Sequence, residues 1–536
     1  MVYPQGWRPT TSPLGYVHFW GTLGPSPVSA PFIMKFLLPA RSSLVCGMML
    51  AACWTSSHVG GQPADDPQTA QQSASSAVLA FQQSLANLIA RVEPSVVAIS
   101  RAPQPPAGGP AQQPTLANPF FEDFTGRANL AFQPTGSGVV IDAGGLVLTQ
   151  YLNVQAGDRH RVTTSDGEKF DATLIGADPR SGLAVLKVET DKLVPLPIGK
   201  SENLRKGHFV VTVGNPYAMV AGDSATVGWG IVANLAQKAA PEMNLNNVRD
   251  ELDSSYQTTL HHFGTLIQTD AKLGWSASGG ALVDLEGNLV GITTAAATIP
   301  GHEQGAGYAI PMSEAMRRAV EQLKQGREVE YGLLGVSLLD LASRNVRSTV
   351  DKGVAIQMAL SGSAAMQAGL QPQDVVVEID GEPIESASEL QVLVGGKSPG
   401  EVIHVRYLRG NEERETDVTL GKYYVQGEKV VTEKPPAWRG MRVDYATALP
   451  REAITQAEQM GRIDPQGCVV VSEVEEGSPA WESGVRPGRF ISHVGTTRVT
   501  TPEEFRKAVA AQEGVVDLRF TDEERGNGSE VVPGEI

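Results

Sequence analysis

Between Leu333 and Gly495 the chain writes one pattern twice. The first copy opens on Leu333-Leu334-Gly335-Val336-Ser337-Leu338. It runs on through Gly353-Val-Ala-Ile356, Gly362-Ser-Ala-Ala365, Ala368-Gly369-Leu370 and Asp374-Val-Val-Val-Glu-Ile-Asp-Gly381. The second opens on Trp438-Arg439-Gly440-Met441-Arg442-Val443. It is followed by Gly467-Cys-Val-Val-Val471, Gly477-Ser-Pro-Ala480, Ser483-Gly484-Val485 and Gly488-Arg-Phe-Ile-Ser-His-Val-Gly495. Each copy ends with a helix signal, Ser388 to Val394 and Thr501 to Ala510. A repeat of about a hundred residues turns one large domain into a head and two copies of a module.

The head reads as short apolar runs broken by turns. Examples from Gly136 to Pro311 are Gly138-Val-Val-Ile141, Leu146-Val-Leu148, Leu183-Ala-Val-Leu-Lys-Val188 and Phe209-Val-Val-Thr-Val213. Runs of that length predict an all-β barrel or sandwich. A helix over Ser313 to Gln325 closes the unit. Upstream, Phe81, Leu85, Leu88 and Val92 share one face of a helix expected over Val78 to Val92, and Pro94 to Ile99 reads as a first strand. Residues 102–118, rich in Pro, Gln, Gly and Ala, read as a surface loop.

A chain of 536 residues is too long for one core. Its net charge of −16 excludes a nucleic-acid partner, because phosphate binding needs a basic surface. Residues 1–33 look like neither a domain nor a targeting signal. Met34 opens a better one: Lys35 and Arg41, then an apolar run ending at Cys53, too short to span a bilayer. Translation is therefore expected to start at Met34, with residues 34–53 as an export signal. Leu50-Ala51-Ala52-Cys53 also resembles a bacterial lipoprotein cleavage box, which would place a lipid on Cys53; simple cleavage nearby is the alternative. Residues 54–78 are small and polar, a tether. Cys46 and Cys53 lie in the signal, so Cys468 remains alone, and one thiol builds neither a disulfide framework nor a metal cluster. No cofactor is expected.

Several stretches together resemble the HtrA/Deg family of envelope serine proteases. They are Pro94-Ser-Val-Val97, Asn118-Pro-Phe-Phe-Glu-Asp-Phe124, Thr135-Gly-Ser-Gly-Val-Val-Ile-Asp142, Gly182-Leu-Ala-Val-Leu-Lys-Val188, Gly214-Asn-Pro216, Ile267-Gln-Thr-Asp-Ala271, Ser278-Gly-Gly280 and Gly307-Tyr-Ala-Ile-Pro311. They fall in the family's order. The resemblance implies a mainly β chain: a chymotrypsin-like double β-barrel at 79–327, followed by two α+β PDZ domains at 329–422 and 437–525, then a polar tail at 526–536.

By the same resemblance, Ser278 stands where the nucleophile belongs. Serine catalysis needs a base on the hydroxyl and a carboxylate to fix that base. The family's base turn reads here as Leu148-Thr149-Gln150-Tyr151-Leu152-Asn153-Val154, which puts Leu152 at the base position; Gly182 holds the acid position. In the oxyanion hole, Ser276 replaces a glycine beside Ser278. His160, expected on the next loop, and Asp178 are too far along the chain to stand in without large movements, and His261 and His262 are expected on the surface. The expectation is a pseudoprotease, in which Ser278 keeps a structural place in a tight loop.

The surviving activity is then expected in the PDZ modules, which add an extended chain end as a strand to a sheet edge. In the first, Leu333, Leu334, Gly335 and Val336 form the carboxylate loop, with Leu338, Leu390 and Leu393 lining the groove. In the second the loop is Arg439, Gly440, Met441 and Arg442, whose arginines would favour acidic ligands. A plain turn and plain core are the alternatives. The family's trimers, formed through aromatic residues near the start of the protease domain, suggest an oligomer contact at Phe120, Phe121 and Phe124, with a core role as the other reading. Three functions stay open: a noncatalytic binder of unfolded polypeptides or protein C-termini in envelope quality control, acting as a homotrimer or with active paralogues; an active endopeptidase with an atypical triad; and a structural PDZ scaffold.

Overall fold

The computed structural model of the chain describes residues 67–102, 132–215, 225–239, 259–271, 277–294, 306–340, 353–521 and 529–532. The export signal, Cys53, the cluster Phe120, Phe121, Phe124 and the expected oxyanion residue Ser276 lie outside them. The chain divides into Met1–Ala70 and Gln71–Ile536, and both barrels and both repeats lie in the second unit.

A helix α1 (Pro67–Val92) leads in, starting well before the expected Val78. The Gln- and Ala-rich stretch read as a tether has reasonable helix propensity and continues the helix backwards. Leu88 and Val92 are buried, as their spacing required.

Six antiparallel strands build the first barrel: β1 (Val96–Ala102), β2 (Gln133–Asp142), β3 (Leu146–Gln150), β4 (Arg159–Thr163), β5 (Lys169–Asp178) and β6 (Leu183–Val188). Their order is β5-β4-β1-β2-β3-β6, and pairing of β5 with β6 closes the ring. The second barrel is closed in the order β10-β11-β12-β9-β8-β7. It comprises β7 (Phe209–Gly214), β8 (Thr226–Gln237), β9 (Leu266–Thr269), β10 (Ala281–Val283), β11 (Leu289–Thr294) and β12 (Gly307–Pro311). Strand β6 is apolar on both faces for a reason. On β6, Ala184, Leu186 and Val188 fill the barrel interior. Leu183 and Val185 point the other way, into a core shared with the second barrel and with α2 (Glu314–Lys324). That shared seam carries the candidate site.

The first repeat is an α+β module. It contains β13 (Gly332–Leu333), β14 (Val336–Asp340), β15 (Val354–Ala359), α3 (Ala364–Gln367), β16 (Val375–Ile379), β17 (Glu382–Pro383), α4 (Ala387–Gly395), β18 (Val402–Arg409), β19 (Glu412–Thr419) and β20 (Gly421–Lys422). Its sheet runs β14-β15-β16-β18-β19, so β14 is an outer strand. Ser386 and Glu389 start α4 with reciprocal capping bonds. A short strand β21 (Val430–Val431) in the following linker pairs with β5 of the first barrel.

The second repeat has β22 (Met441–Tyr445), α5 (Arg451–Gln459), β23 (Val469–Val474), α6 (Pro479–Glu482), β24 (Phe490–Val494), β25 (Thr497–Arg498), α7 (Pro502–Ala510), β26 (Val516–Phe520) and β27 (Ser529–Val532). The expected polar tail thus supplies a strand: β27 pairs with Val516–Arg519, because Val531 and Val532 make a run of β-branched residues long enough to extend the sheet.

A buried lysine ties the three parts together. Lys422 Nζ lies 2.9, 3.0 and 2.8 Å from carboxylate oxygens of Glu328, Glu330 and Asp444, which precede the first module and open the second. Burial opposes its charge, but Asp444, Glu330 and Glu328 outweigh that and hold the ammonium above the usual lysine range.

Candidate functional site

The Ser278 loop is built from both barrels. It turns at Gly279, whose φ of +90° and whose missing Cβ, which would lie 2.2 Å from the Ser137 carbonyl oxygen, leave room only for glycine. The Ser278 carbonyl accepts the Ser137 N–H at 2.9 Å and Asn153 Nδ2 at 2.9 Å, both from the first barrel. On the other side, Gly279 N–H donates to Thr293 O at 2.7 Å and Thr293 Oγ1 to Ala277 O at 2.6 Å. The loop is pinned across the seam.

What faces the hydroxyl is a glutamine. Ser278 Oγ donates to Gln150 Oε1, its only hydrogen-bond partner among the described residues. Gln150 ends β3 and is 5 % exposed; its amide Nε2 donates to Thr294 Oγ1 at 2.6 Å. An amide oxygen accepts a hydrogen bond but does not hold a proton near neutral pH, so this contact cannot do a general base's work. The sequence reading passed over Gln150. The only signal was a longer polar residue where the family turn has asparagine.

The two positions expected to have lost the triad are settled in other ways. Leu152 is 71 % exposed and borders a cleft of about 330 Å³ lined also by Arg101, Tyr151, Gln155, Glu428 and Val430. Gly182 has φ +69°, a left-handed conformation, and a Cβ there would lie 3.3 Å from Ile310 Cδ1 and 3.7 Å from His261 Nε2. An aspartate at 182 would be strained in this conformation and tight against Ile310.

The remaining titratable groups are committed elsewhere. His160 is not on a loop but on β4, buried, accepting the Gln155 N–H at 3.3 Å through Nε2. Burial lowers its pKa. Asp178 is buried and receives the Tyr331 hydroxyl and the Ser181 N–H, the latter at 2.7 Å; burial raises its pKa. His261 and His262, expected on the surface, are both buried. Burial costs them little because each ring is hydrogen-bonded. His262 Nδ1 caps Thr259 at 3.0 and 3.2 Å. His261 Nε2 lies 2.8 Å from the Ser181 carbonyl, which can only accept, so Nε2 carries the proton and Nδ1 accepts from Thr265 Oγ1 at 2.6 Å.

In the first module, Gly335 has φ +77°, and its loop is held by Leu360 N–H donating to Gly335 O and Ala365 N–H to Leu334 O, each at 2.9 Å. Leu334 and Leu390 are in the core, while Leu333, Val336, Leu338 and Leu393 are half-buried around β14 and α4. In the second, Met441 is buried. Both expected anion-attracting arginines are engaged within the module. Arg439 lies over the Trp438 ring and bonds Gly514 O; Arg442 pairs with Glu473 at 3.3 Å and Glu475 at 3.2 Å.

One exposed cluster was not anticipated. Phe81, Phe209 and Trp229 are 36, 42 and 53 % exposed and meet ring to ring with centroids 5.6 to 5.9 Å apart. They are distant in sequence, so no local pattern announced them.

Comparison with known proteins agrees with this architecture. Residues 136–292 match a trypsin-like peptidase domain, and residues 332–420 and 470–520 each match a PDZ domain. The periplasmic pH-dependent serine endoprotease DegQ of Escherichia coli is 30 % identical over 451 residues, covering 83 % of this chain and 90 % of that protein. A probable periplasmic serine endoprotease, DegP-like, of Ectopseudomonas mendocina is 33 % identical over 451 residues, covering 80 % and 90 %. Among solved structures, the HtrA-type protease AlgW with decapeptide is 27 % identical, covers 66 % of this chain and 99 % of that one, and gives a TM-score of 0.46.

His261 has a consequence for pH. Burial first, then the nearby His262 and Arg180 charges, hold it down to about 4 from 6.5, against the opposing pull of the Ser181 carbonyl. With the folded pKa below the unfolded one, the unfolded chain binds more protons between those values. Stability is therefore full above about pH 6.5 and falls toward pH 4, by about 3 kcal/mol from this group. Denaturant unfolding across that window should show this loss in the parent and a flatter profile in His261→Gln; parallel profiles would contradict it.

Proposed function

The chain belongs to the HtrA/Deg family of trypsin-like serine proteases, and from that premise we propose that it is a pseudoprotease that holds polypeptides through its PDZ modules in envelope protein quality control. The observation that carries this reading is the Ser278 hydroxyl bonded to the side-chain amide of Gln150. Without a base the serine stays protonated, and loss of a triad's serine or histidine lowers turnover by roughly six orders of magnitude. Leu152 cannot take a proton, and Gly182 cannot orient an imidazole even if one were supplied.

Binding is the chemistry left to such a scaffold. The outer strand β14, the glycine loop at Gly335 and the half-buried apolar residues beside α4 have the features that strand addition of a peptide end needs. The relatives are named as periplasmic enzymes, which supports an envelope location. Self-association, as a homotrimer by family resemblance, is favoured by the exposed rings of Phe81, Phe209 and Trp229, a contiguous aromatic surface of the kind that interfaces cover.

Purified protein incubated with unfolded casein should leave it intact, like a Ser278→Ala control. Cleavage abolished by that substitution would establish an active endopeptidase instead. Gly335→Glu should weaken binding of free-C-terminus peptides by the first module at least tenfold, since the new Cβ would sit 2.4 Å from Ser363 Cβ at a left-handed φ. Unchanged affinity would discard this groove and favour an inert scaffold. Trp229→Asp should shift the mass measured by light scattering to that of a monomer; a parent that is already monomeric would remove the self-association reading.

A further inference from the structure

In the second module, the residue before the glycine loop folds back onto the loop itself. Trp438 N–H donates to Met441 O at 2.8 Å, and Met441 N–H donates to Trp438 O at 2.9 Å. This antiparallel bridge closes over Arg439 and Gly440, both left-handed, with φ 50° and 82°. Two consecutive left-handed residues across such a bridge make a type I′ hairpin turn.

The position of that bridge matters. Met441 opens β22, the outer strand of a sheet ordered β22-β23-β24-β26-β27. In an antiparallel strand, the N–H and C=O of one residue point to the same side. Those of Met441 point to Trp438, away from β23 and toward the open edge beside α7. That is the edge where an added strand would find its first partner. The first module is built otherwise. Leu333, which precedes its glycine loop, pairs away with Gly421, and β14 begins without a hairpin of this kind.

The side chains reinforce the closure. The Trp438 ring meets Phe505 of α7 edge-on, with centroids 5.8 Å apart and planes at 86°. The Arg439 guanidinium lies 4.5 Å from the indole centroid and donates to Gly514 O, beyond the end of α7. Arg442 Nε donates to Pro435 O at 2.7 Å, drawing the incoming segment beside β22. Pro435 and Pro436 carry no N–H, so the fold-back ends after one rung and does not become a strand.

We propose that Trp438 is an internal occupant of the second module's peptide edge: the chain's own residue takes the first backbone rung and the apolar contact on α7 that the end of a bound peptide would take. This rests on reading the modules as strand-adding peptide binders. The second module is then closed while the first is open, and it accepts an apolar peptide end only when the Trp438–Met441 hairpin is released. The turn offers a lever. Proline at 439 cannot adopt positive φ and forces the hairpin open, whereas glycine adopts it freely and keeps it shut.

The test uses the full chain carrying Gly335→Glu, which silences the first module, and fluorescein-labelled random decapeptides with free C-termini, with C-terminally amidated ones as control. The Gly335→Glu parent and its Arg439→Gly derivative should bind neither pool. Arg439→Pro and Trp438→Ala in the same background should bind the free-carboxyl pool at least tenfold more tightly than the parent. Hydrogen exchange on the same proteins should show the Met441 amide protected in the parent and at least tenfold faster in Arg439→Pro, with Val469–Val474 still protected; if that strand opens, Trp438→Ala carries the binding test. Opened variants that bind no better than the parent, or a Met441 amide that exchanges freely in the parent, would overturn the proposal. Failure of the unsubstituted first module to bind, alongside gain of binding in the opened second, would sink the first module's role and leave this inference standing.

Discussion

The amide of Gln150 is the contact on which the account of this molecule depends. It spans the seam between the barrels, taking the Ser278 hydroxyl hydrogen on its oxygen and giving its own to Thr294. A buried amide placed so has both ends satisfied, and a satisfied polar pair in a low-dielectric seam resists rearrangement. The serine is thereby held as a hydrogen-bond donor in a structural network. Serine catalysis needs that hydroxyl to face a group able to take its proton.

The rest of the seam is consistent with that role. Ser137 and Asn153 bond the backbone of the Ser278 loop from one barrel, with the Thr149 hydroxyl donating to Ser137 O and accepting from Asn153, and Thr293 bonds it from the other. The loop therefore has a reason to keep its Ser-Gly-Gly shape whatever chemistry it performs. Gly182 sits in a backbone conformation that an L side chain rarely adopts, against His261 and Ile310. Sequence identity of about a third to endoproteases thus coexists with a serine whose hydroxyl, among the described residues, meets an amide and no proton acceptor, as fold and chemistry can depend on different residues.

Much of this was legible in the sequence, for physical reasons. Strands such as Leu183–Val188 alternate between two buried faces, and that pattern fits the barrel or sandwich the sequence suggested. The repeat from Leu333 exposed the two modules, each of which matches a PDZ domain. The rest hung on long-range partners. Gln150 bonds a residue 128 positions away, and His261 a carbonyl 80 positions away, so the glutamine was passed over and the histidine pair read as surface. Trp438 opens the second repeat, and nothing local showed that it would pair with Met441 of the loop beside it. β27 was hidden in a short, charged segment whose two valines gained meaning only beside β26.

The most direct measurement is the reaction of the purified protein with a fluorophosphonate, followed by intact mass and fragment mapping. A hydroxyl held by an amide has no means of shedding its proton to attack phosphorus. The account predicts no adduct at Ser278 above the level seen in Ser278→Ala. Stoichiometric phosphonylation of Ser278 would contradict it.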